Sequence, residues 1–501
     1  MKQKYSRISL GVIIGVLFIL CSMPAVTAYA AQYEANWESL DKRPMPEWFQ
    51  DAKFGIFIHW GVYSVPAWGP KDAYAEWYWN RMGVGVDGRP ADKNKTSKTW
   101  DFHKKVYGED FKYQDFAHQF KAELFDPDHW ADVFKNAGAK YVVLTSKHHE
   151  GFCLWPSKQA NQSWGRPWNS VDIGPKRDLL GDLTESVRNV DLKMGIYYSL
   201  YEWYNPLWNT NREVFVTEHM IPQFKDIVTN YQPSIIFSDG EWDMPSSDWK
   251  TEELMAWLFN ESPCKDDVVI NDRWGKECRH KHGGYFTTEY TAGLETDSPW
   301  EESRGMGHSY GFNRNENLEN YKTPRELLLM LVDLVSRGGN LLLDIGPDAD
   351  GTIPVIMEQR LIAMGQWLQA NGEAIYGTQT WTKNRQWSNG DVPKANYDKQ
   401  YMVKYDVNEV TGAKTGEKAV VDAFFTQKDN NIYAITPRWP GEKMVFKNMK
   451  ASTNSKVTLL GMNIPLQWKT QGENIVVEFP RLNLDKACPL KVYAIKLTNV
   501  E

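Results

Sequence analysis

Cysteine is scarce in this chain: five in 501 residues, of which Cys21 lies in an N-terminal apolar run. The other four are Cys153, Cys264, Cys278 and Cys488, and no two have the CxxC spacing of a metal or redox site. Cys264 and Cys278 can pair in an oxidising compartment or stay as buried thiols; the sequence allows both. Charge of one sign is also lacking. There are 57 Lys and Arg against 64 Asp and Glu, a net charge of −7 with the signs interspersed. That balance excludes nucleic acid and an anionic membrane as partners expected from charge. There is no internal repeat and no low-complexity segment, and only one long hydrophobic run, at the start.

That run reads as an export signal. Lys2, Lys4 and Arg7 precede the apolar stretch 8–20, and Ala28-Tyr29-Ala30 has the small-x-small cleavage pattern. The stretch is too short to cross a bilayer comfortably. The expectation is a signal peptide over 1–30 and a secreted or periplasmic product with no membrane association after cleavage. The oligomeric state is unreadable.

What the chain has in abundance is aromatic side chains, with 23 Trp and 24 Tyr. Many of the tryptophans adjoin Gly, Pro or charged residues rather than lying in periodic apolar runs. A flat indole can stack on the C–H face of a sugar while polar neighbours bind hydroxyls; extra core filler is the plainer use.

Segments 53–61, 140–151, 193–200, 233–240, 267–275 and 339–347 read as strands buried on both sides. Amphipathic segments alternate with them. One lies within 125–140. Another begins at Thr323-Pro324-Arg325-Glu326, a capping box with Pro in the first turn, and stops at Gly338-Gly339. Strand–helix repetition predicts an irregular (β/α)8-like barrel over 31–377. A doubly wound open sheet is the alternative, but no Gly-rich phosphate loop follows the first strand. After 377 short alternating strands, with a hairpin centred on 429–431, predict a C-terminal antiparallel β-sandwich over 378–501.

In a barrel, chemistry collects where strands end. PSIIFSDGEW places Asp239 directly after a greasy strand, where burial penalises charge. HGGYFTTEY places Glu289 beside aromatic residues, where a carboxyl loses solvation in its charged form, as a proton donor requires. Glu301 and Glu302 compete for that role. His59, His148 and His149 suit hydroxyl binding or metal ligation, but His59 after the first strand lacks the HxH spacing of metal-dependent barrel hydrolases, and there is no HExxH. Arg273 offers a planar fork of donors.

The blocks FGIFIHWGVYSVPAW, AEWYWNRM, KYVVLTSKHHEGFCLWPS, SDGEW, NDRWG, TTEY, WEESRGMGHSYGFNRNE and GGNLLLDIGPDADGTIP resemble, in order and spacing, the α-L-fucosidases of glycoside hydrolase family 29. The resemblance covers 37–376 and, more loosely, the C-terminal region. It implies an exo-acting, retaining hydrolase of fucosylated glycans that uses no metal or other cofactor. It implies Asp239 as nucleophile and Glu289 as general acid/base, with the carboxyls about 5–5.5 Å apart. It carries sugar binding onto His59, Glu76, Trp77, His148, His149, Tyr197 and Arg273, with Phe237 and Trp300 as aromatic walls. Phe237 stands where some members have Trp, and Asp344 where many have Asn; Asp344 is expected behind the site. The loop 80–102 is expected on the leaving-group side, with a surface insertion as the plainer reading. Linkage and aglycone are not legible.

Overall fold

Eight short segments form parallel strands that curl into one sheet. They are β1 Phe54–Ile58, β2 Tyr141–Lys147, β3 Lys193–Ser199, β4 Ile235–Asp239, β5 Val269–Ile270, β6 Phe286–Glu289, β7 Trp300–Gly305 and β8 Gly339–Ile345. The order across the sheet is β5-β4-β3-β2-β1-β8-β7-β6, every pair parallel. A single parallel bridge, Asn271 to Tyr285, joins the two edges and curls the sheet into an irregular barrel. The computed structural model describes residues 33–88, 97–393, 396–398, 402–404, 406–412, 416–484 and 488–501. The signal segment 1–30 and part of the loop 80–102 lie outside these residues. Among the described residues no helix is long and apolar enough to cross a membrane.

The apolar runs read from the sequence give β1 to β4 and β8, each buried on both faces. The run 267–275 yields only the two-residue β5. β6 and β7 were not among the expected strands. Their inward and outward positions carry Thr287, Thr288, Glu301, Glu302 and Ser303 rather than Val and Ile, so the apolar signal is missing. The barrel gives several of these groups internal partners, though Glu301 Oε1 has none. Tyr141 OH donates to Glu301, and Thr288 Oγ1 to Glu302. Gly55 on β1 admits the Tyr141 ring to the interior, since a Cβ there would fall 2.1 Å from it.

Strand alternation aims the site. Phe57 and, just beyond β1, His59 share the inward face; so do Ile235, Phe237 and Asp239 on β4. Phe57, Tyr197, Phe237 and Tyr310 form an aromatic layer near the strands' C-terminal ends.

The C-terminal part holds a six-stranded antiparallel sheet facing a three-stranded one. The first runs in the order Ile464–Pro465, Ala451–Leu459, Tyr493–Val500, Asn431–Thr436, Val421–Lys428, Gln379–Trp387; the second, Lys443–Phe446, Asn474–Glu478, Gln467–Gln471. The expected hairpin is present, turning at Asp429 with φ 52°. Ala423, Phe425, Phe446, Ile475 and Ile495 fill the space between the sheets. The other face of the larger sheet, with Val421, Phe424, Tyr433 and Ile435, belongs to the same apolar cluster as the barrel's outer helices. Chief among these is Pro324–Ser336, capped by Thr323 and Glu326 as its sequence predicts, and buried at every position from Leu327 to Ser336.

Candidate active site

Asp239 ends β4, and the chain leaves it through Gly240 at φ 77°, where a Cβ would lie 2.4 Å from the Tyr201 ring. The acid therefore stays at the barrel mouth. Its Oδ1 accepts from Arg273 Nη1 at 2.9 Å, with Arg279 Nη2 at 3.8 Å; its Oδ2 accepts from Tyr197 OH at 2.9 Å, with His149 Nε2 at 3.5 Å. Burial alone pushes this carboxyl up. Arg273, with Arg279 beside it, outweighs this and holds Asp239 well below the usual carboxylate range. The strand-end acid is tolerated because fixed donors replace its water.

Arg273 is the hub. Nε donates to Thr287 Oγ1 at 2.9 Å, Nη2 to Glu289 Oε2 at 3.0 Å, and the guanidinium carbon lies 4.8 Å from the centre of the Phe237 ring. One planar fork thus spans Asp239 on β4 and Glu289 at the end of β6. Arg279 was not singled out in the sequence; its Nε pairs at 2.6 Å with the buried Glu241.

His59 and His149 are neutral, since burial above all lowers both well below the usual imidazole value. Ser199 spends its proton on Tyr201 O at 2.6 Å, so it accepts from His149 Nδ1–H at 2.7 Å. His149 Nε2 is then an acceptor. His59 Nδ1 meets Asp344 Oδ1 at 2.6 Å. Burial, then the charge of Glu76, raises Asp344 well above the carboxylate range. The pair is a carboxylic acid donating to a neutral ring, which leaves Nε2–H to donate into the mouth. Asp344 lies behind His59, as expected.

Glu76 is buried by the 3-10 turn Ala75–Trp77. Its Oε2 accepts from Gly311 N at 2.9 Å and Ser309 Oγ at 3.2 Å. Glu76 Oε1 has no hydrogen-bond partner, while His148 Nδ1 and Glu150 Oε2 face each other at 3.5 Å. A buried oxygen in the state of Glu76 Oε1 points to a polar occupant.

These groups line a cavity of about 130 Å³, small beside the roughly 300–1,000 Å³ of ordinary ligand pockets and suited to one sugar ring. His59, Glu76, Trp77, His148, Tyr197, Phe237, Asp239, Arg273 and Glu289 all face it, while His149 does not line it and lies to the side of Asp239, 3.5 Å from Oδ2. Tyr74, Trp242, Ser303 and Tyr310 also line it and were missed. Trp242 alone had a signal, lying three residues after Asp239; the others sit on loops or polar strands without a pattern.

Trp300 is a correction. It starts β7, at the opposite end of the barrel from the mouth, is 1% exposed, and packs under Arg337, whose guanidinium carbon is 5.3 Å from its ring. Glu301 and Glu302 also point away from the cavity, Glu301 into the barrel below it and Glu302 onto Thr288 and Thr291 N. Cys264 and Cys278 are both free and buried.

Comparison with known proteins agrees along the whole chain. The profile of the family described as Alpha-L-fucosidase matches residues 20–373, and that described as Alpha-L-fucosidase C-terminal domain matches 417–498. The chain is 39% identical over 498 residues to tissue alpha-L-fucosidase of Rattus norvegicus, covering 97% of each. It is 38% identical over 506 residues to alpha-L-fucosidase of Dictyostelium discoideum, covering 97% of this chain and 99% of the relative. A crystal structure of Thermotoga maritima alpha-fucosidase in complex with a mechanism-based inhibitor superposes with a TM-score of 0.73 at 35% identity, covering 93% of this chain and all of that one.

Proposed function

The chain belongs to the α-L-fucosidase family, glycoside hydrolase family 29, and from that premise we propose that it removes terminal α-L-fucosyl residues from glycans with retention of anomeric configuration. It is a glycoside hydrolase, and its substrates are fucosylated glycans. The observation that carries the finer reading is the bridging of Asp239 and Glu289 by one guanidinium across a cavity sized for one sugar.

Asp239, ionised, attacks the anomeric carbon as Glu289 gives its proton to the leaving oxygen. A fucosyl ester on Asp239 forms and the aglycone departs. Glu289, now a carboxylate, takes a proton from water. The resulting hydroxide attacks the same carbon, frees fucose and returns Asp239 to its ionised state. His59 Nε2–H donates to a sugar hydroxyl, and Glu76 Oε1 accepts from another. Phe237, with Phe57 and Tyr310, supplies the apolar side that suits the C6 methyl of a 6-deoxy sugar. The small cavity supports exo action.

Proton NMR of early hydrolysis of an aryl α-L-fucoside tests the stereochemistry. α-L-Fucose is expected first; β-L-fucose first would overturn retention. A 2-fluoro-fucosyl donor with a good leaving group should label the peptide containing Asp239, and no other.

The same proposal includes export after cleavage behind Ala30, with a catalytic part over 31–377 and a sandwich over 378–501. A mature amino terminus at Ala31 checks the cleavage.

A further inference from the structure

A second cleft, of about 320 Å³, lies in the C-terminal part. Trp439 lines it, partly exposed and fixed by edge-on contacts to Phe479 (5.3 Å, 76°) and Tyr493 (5.0 Å, 70°). Beside the indole, Arg438 is held by two hydrogen bonds. Nη2 donates to Asp422 Oδ1 at 2.6 Å and Nη1 to Val421 O at 2.8 Å. At the rim Lys443 pairs with Glu478 at 3.0 Å, both side chains largely exposed, and Lys447 Nζ lies 3.4 Å from Asn389 Oδ1. The lining carries three cations and a single carboxylate, in a chain whose net charge is −7.

The cleft lies at the same end of the molecule as the catalytic mouth. The helix Pro324–Ser336 connects β7 to β8, so it starts at the mouth end and runs away from it. Arg325, in its first turn, donates to Pro437 O at 2.6 Å, next to Arg438 and Trp439. The strand Gln379–Trp387 runs in the opposite sense. Thr380 lies beside Gly338 at the far end, and Trp387 pairs with Val421 at the cleft.

We propose that this cleft is a second saccharide site, which takes a sugar bearing an acidic group, sulfate ester or uronate, on the polysaccharide whose fucose is cleaved at the mouth. The indole takes the C–H face of the ring. The fixed Arg438–Asp422 pair and Asn389 bind hydroxyls, and Lys443 and Lys447 neutralise the acid group. Exposed lysines gain little from surface pairs such as Lys443–Glu478, so they can turn to a ligand anion at small cost. Position favours a glycan over a nucleic acid, which also stacks on indoles: the glycan substrate is bound at the same end of the molecule.

The test is binding by the full chain carrying Asp239→Ala, which prevents hydrolysis. The probes contain no fucose: a sulfated galactan, polygalacturonate, neutral galactan and a single-stranded oligonucleotide, in affinity electrophoresis at low and moderate salt. One or both acidic polymers should retard the protein, and which of them does separates sulfate from carboxylate. Trp439→Ala should weaken that binding at least tenfold. Lys443→Gln with Lys447→Gln should weaken it similarly and reduce its salt dependence. These last variants change exposed side chains only, so they hold the test even if Trp439→Ala misfolds. In the wild-type background neither change should alter kcat/KM on an aryl fucoside. Absence of retardation, equal binding of neutral galactan, equal binding of a single-stranded oligonucleotide, or retention of binding in the lysine variant would overturn the site. None of these outcomes bears on the catalytic assignment.

Discussion

Glu289 and Asp239 hang from the same guanidinium, at 3.0 and 2.9 Å from the two terminal nitrogens of Arg273. One carboxylate must remain with that cation and the other must leave it to serve as an acid. Asp239 has further anchors in Tyr197 and Arg279, whereas the Glu289 side chain is held by Arg273. Removing the two should therefore have different signatures. Asp239→Ala is expected to lower kcat by roughly 10⁴-fold or more on every substrate, with azide giving the β-fucosyl azide. Glu289→Ala should cost about 10²–10⁴-fold on natural glycans and much less on fucosides with acidic leaving groups, with azide giving the α-azide. The same leaving-group dependence in both variants would contradict the assignment.

Asp344 fixes which nitrogen of His59 carries the proton. Asn at this position can donate an amide N–H to Nδ1, and so keep the same tautomer. Asp344→Asn is therefore expected to stay within a few fold of wild type. Asp344→Ala leaves Nδ1 without its donor. A buried hydrogen bond left unmade costs about 1–3 kcal/mol, here read as a KM raised roughly 10- to 100-fold. Equal losses in the two variants would mean that Asp344 matters for shape, not for its proton.

Behind His149 lies a dry ion cluster. Glu202 accepts from Lys147 (2.8 Å), His219 (2.7 Å), Trp164 Nε1 (2.8 Å) and Asn205 Nδ2 (2.7 Å), with Lys147 and Glu202 fully buried. It ties the end of β2 to the segment after β3, where Trp203 N donates to His149 O at 2.8 Å. Glu202→Gln strands the Lys147 ammonium and should destabilise the fold by about 3–5 kcal/mol. Urea unfolding measures this; a loss below about 1 kcal/mol would show that water reaches the cluster.

Glu301 gives a pH dependence of opposite sign to that of Asp239. Burial pushes it up to about 8 from an ordinary 4.5, so the folded chain keeps a proton that the unfolded chain has lost. Its contribution is full below 4.5 and is lost as pH rises toward 8, at up to about 1.4 kcal/mol per pH unit. The Asp239 contribution disappears only under strong acid. Glu301→Gln, which mimics the protonated form, should flatten the decline in melting temperature between pH 5 and 8. An unchanged slope would place the titration elsewhere.

Legibility followed local chemistry. β1, β4 and β8 declare themselves because both faces are apolar, and Asp239 and His59 are visible as polar residues at their tips. β6 and β7 are hidden because their residues bond to one another, to Tyr141 and to loop atoms, so neither strand has an apolar period. Trp300 shows the cost of reading an aromatic without knowing the strand's direction: at the start of β7, not its end, it belongs to the foot of the barrel. Tyr74 and Tyr310 reach the cavity from loops far apart in sequence, so only the closed fold brings them together.

The helix Pro324–Ser336 has no wet side: the barrel takes one flank and the larger C-terminal sheet the other. A barrel expressed without its tail would show water a greasy stripe and should aggregate before it could be assayed. Exchanging tails between relatives has to carry the matching helix along, for the two halves were fitted to each other and travel as a pair.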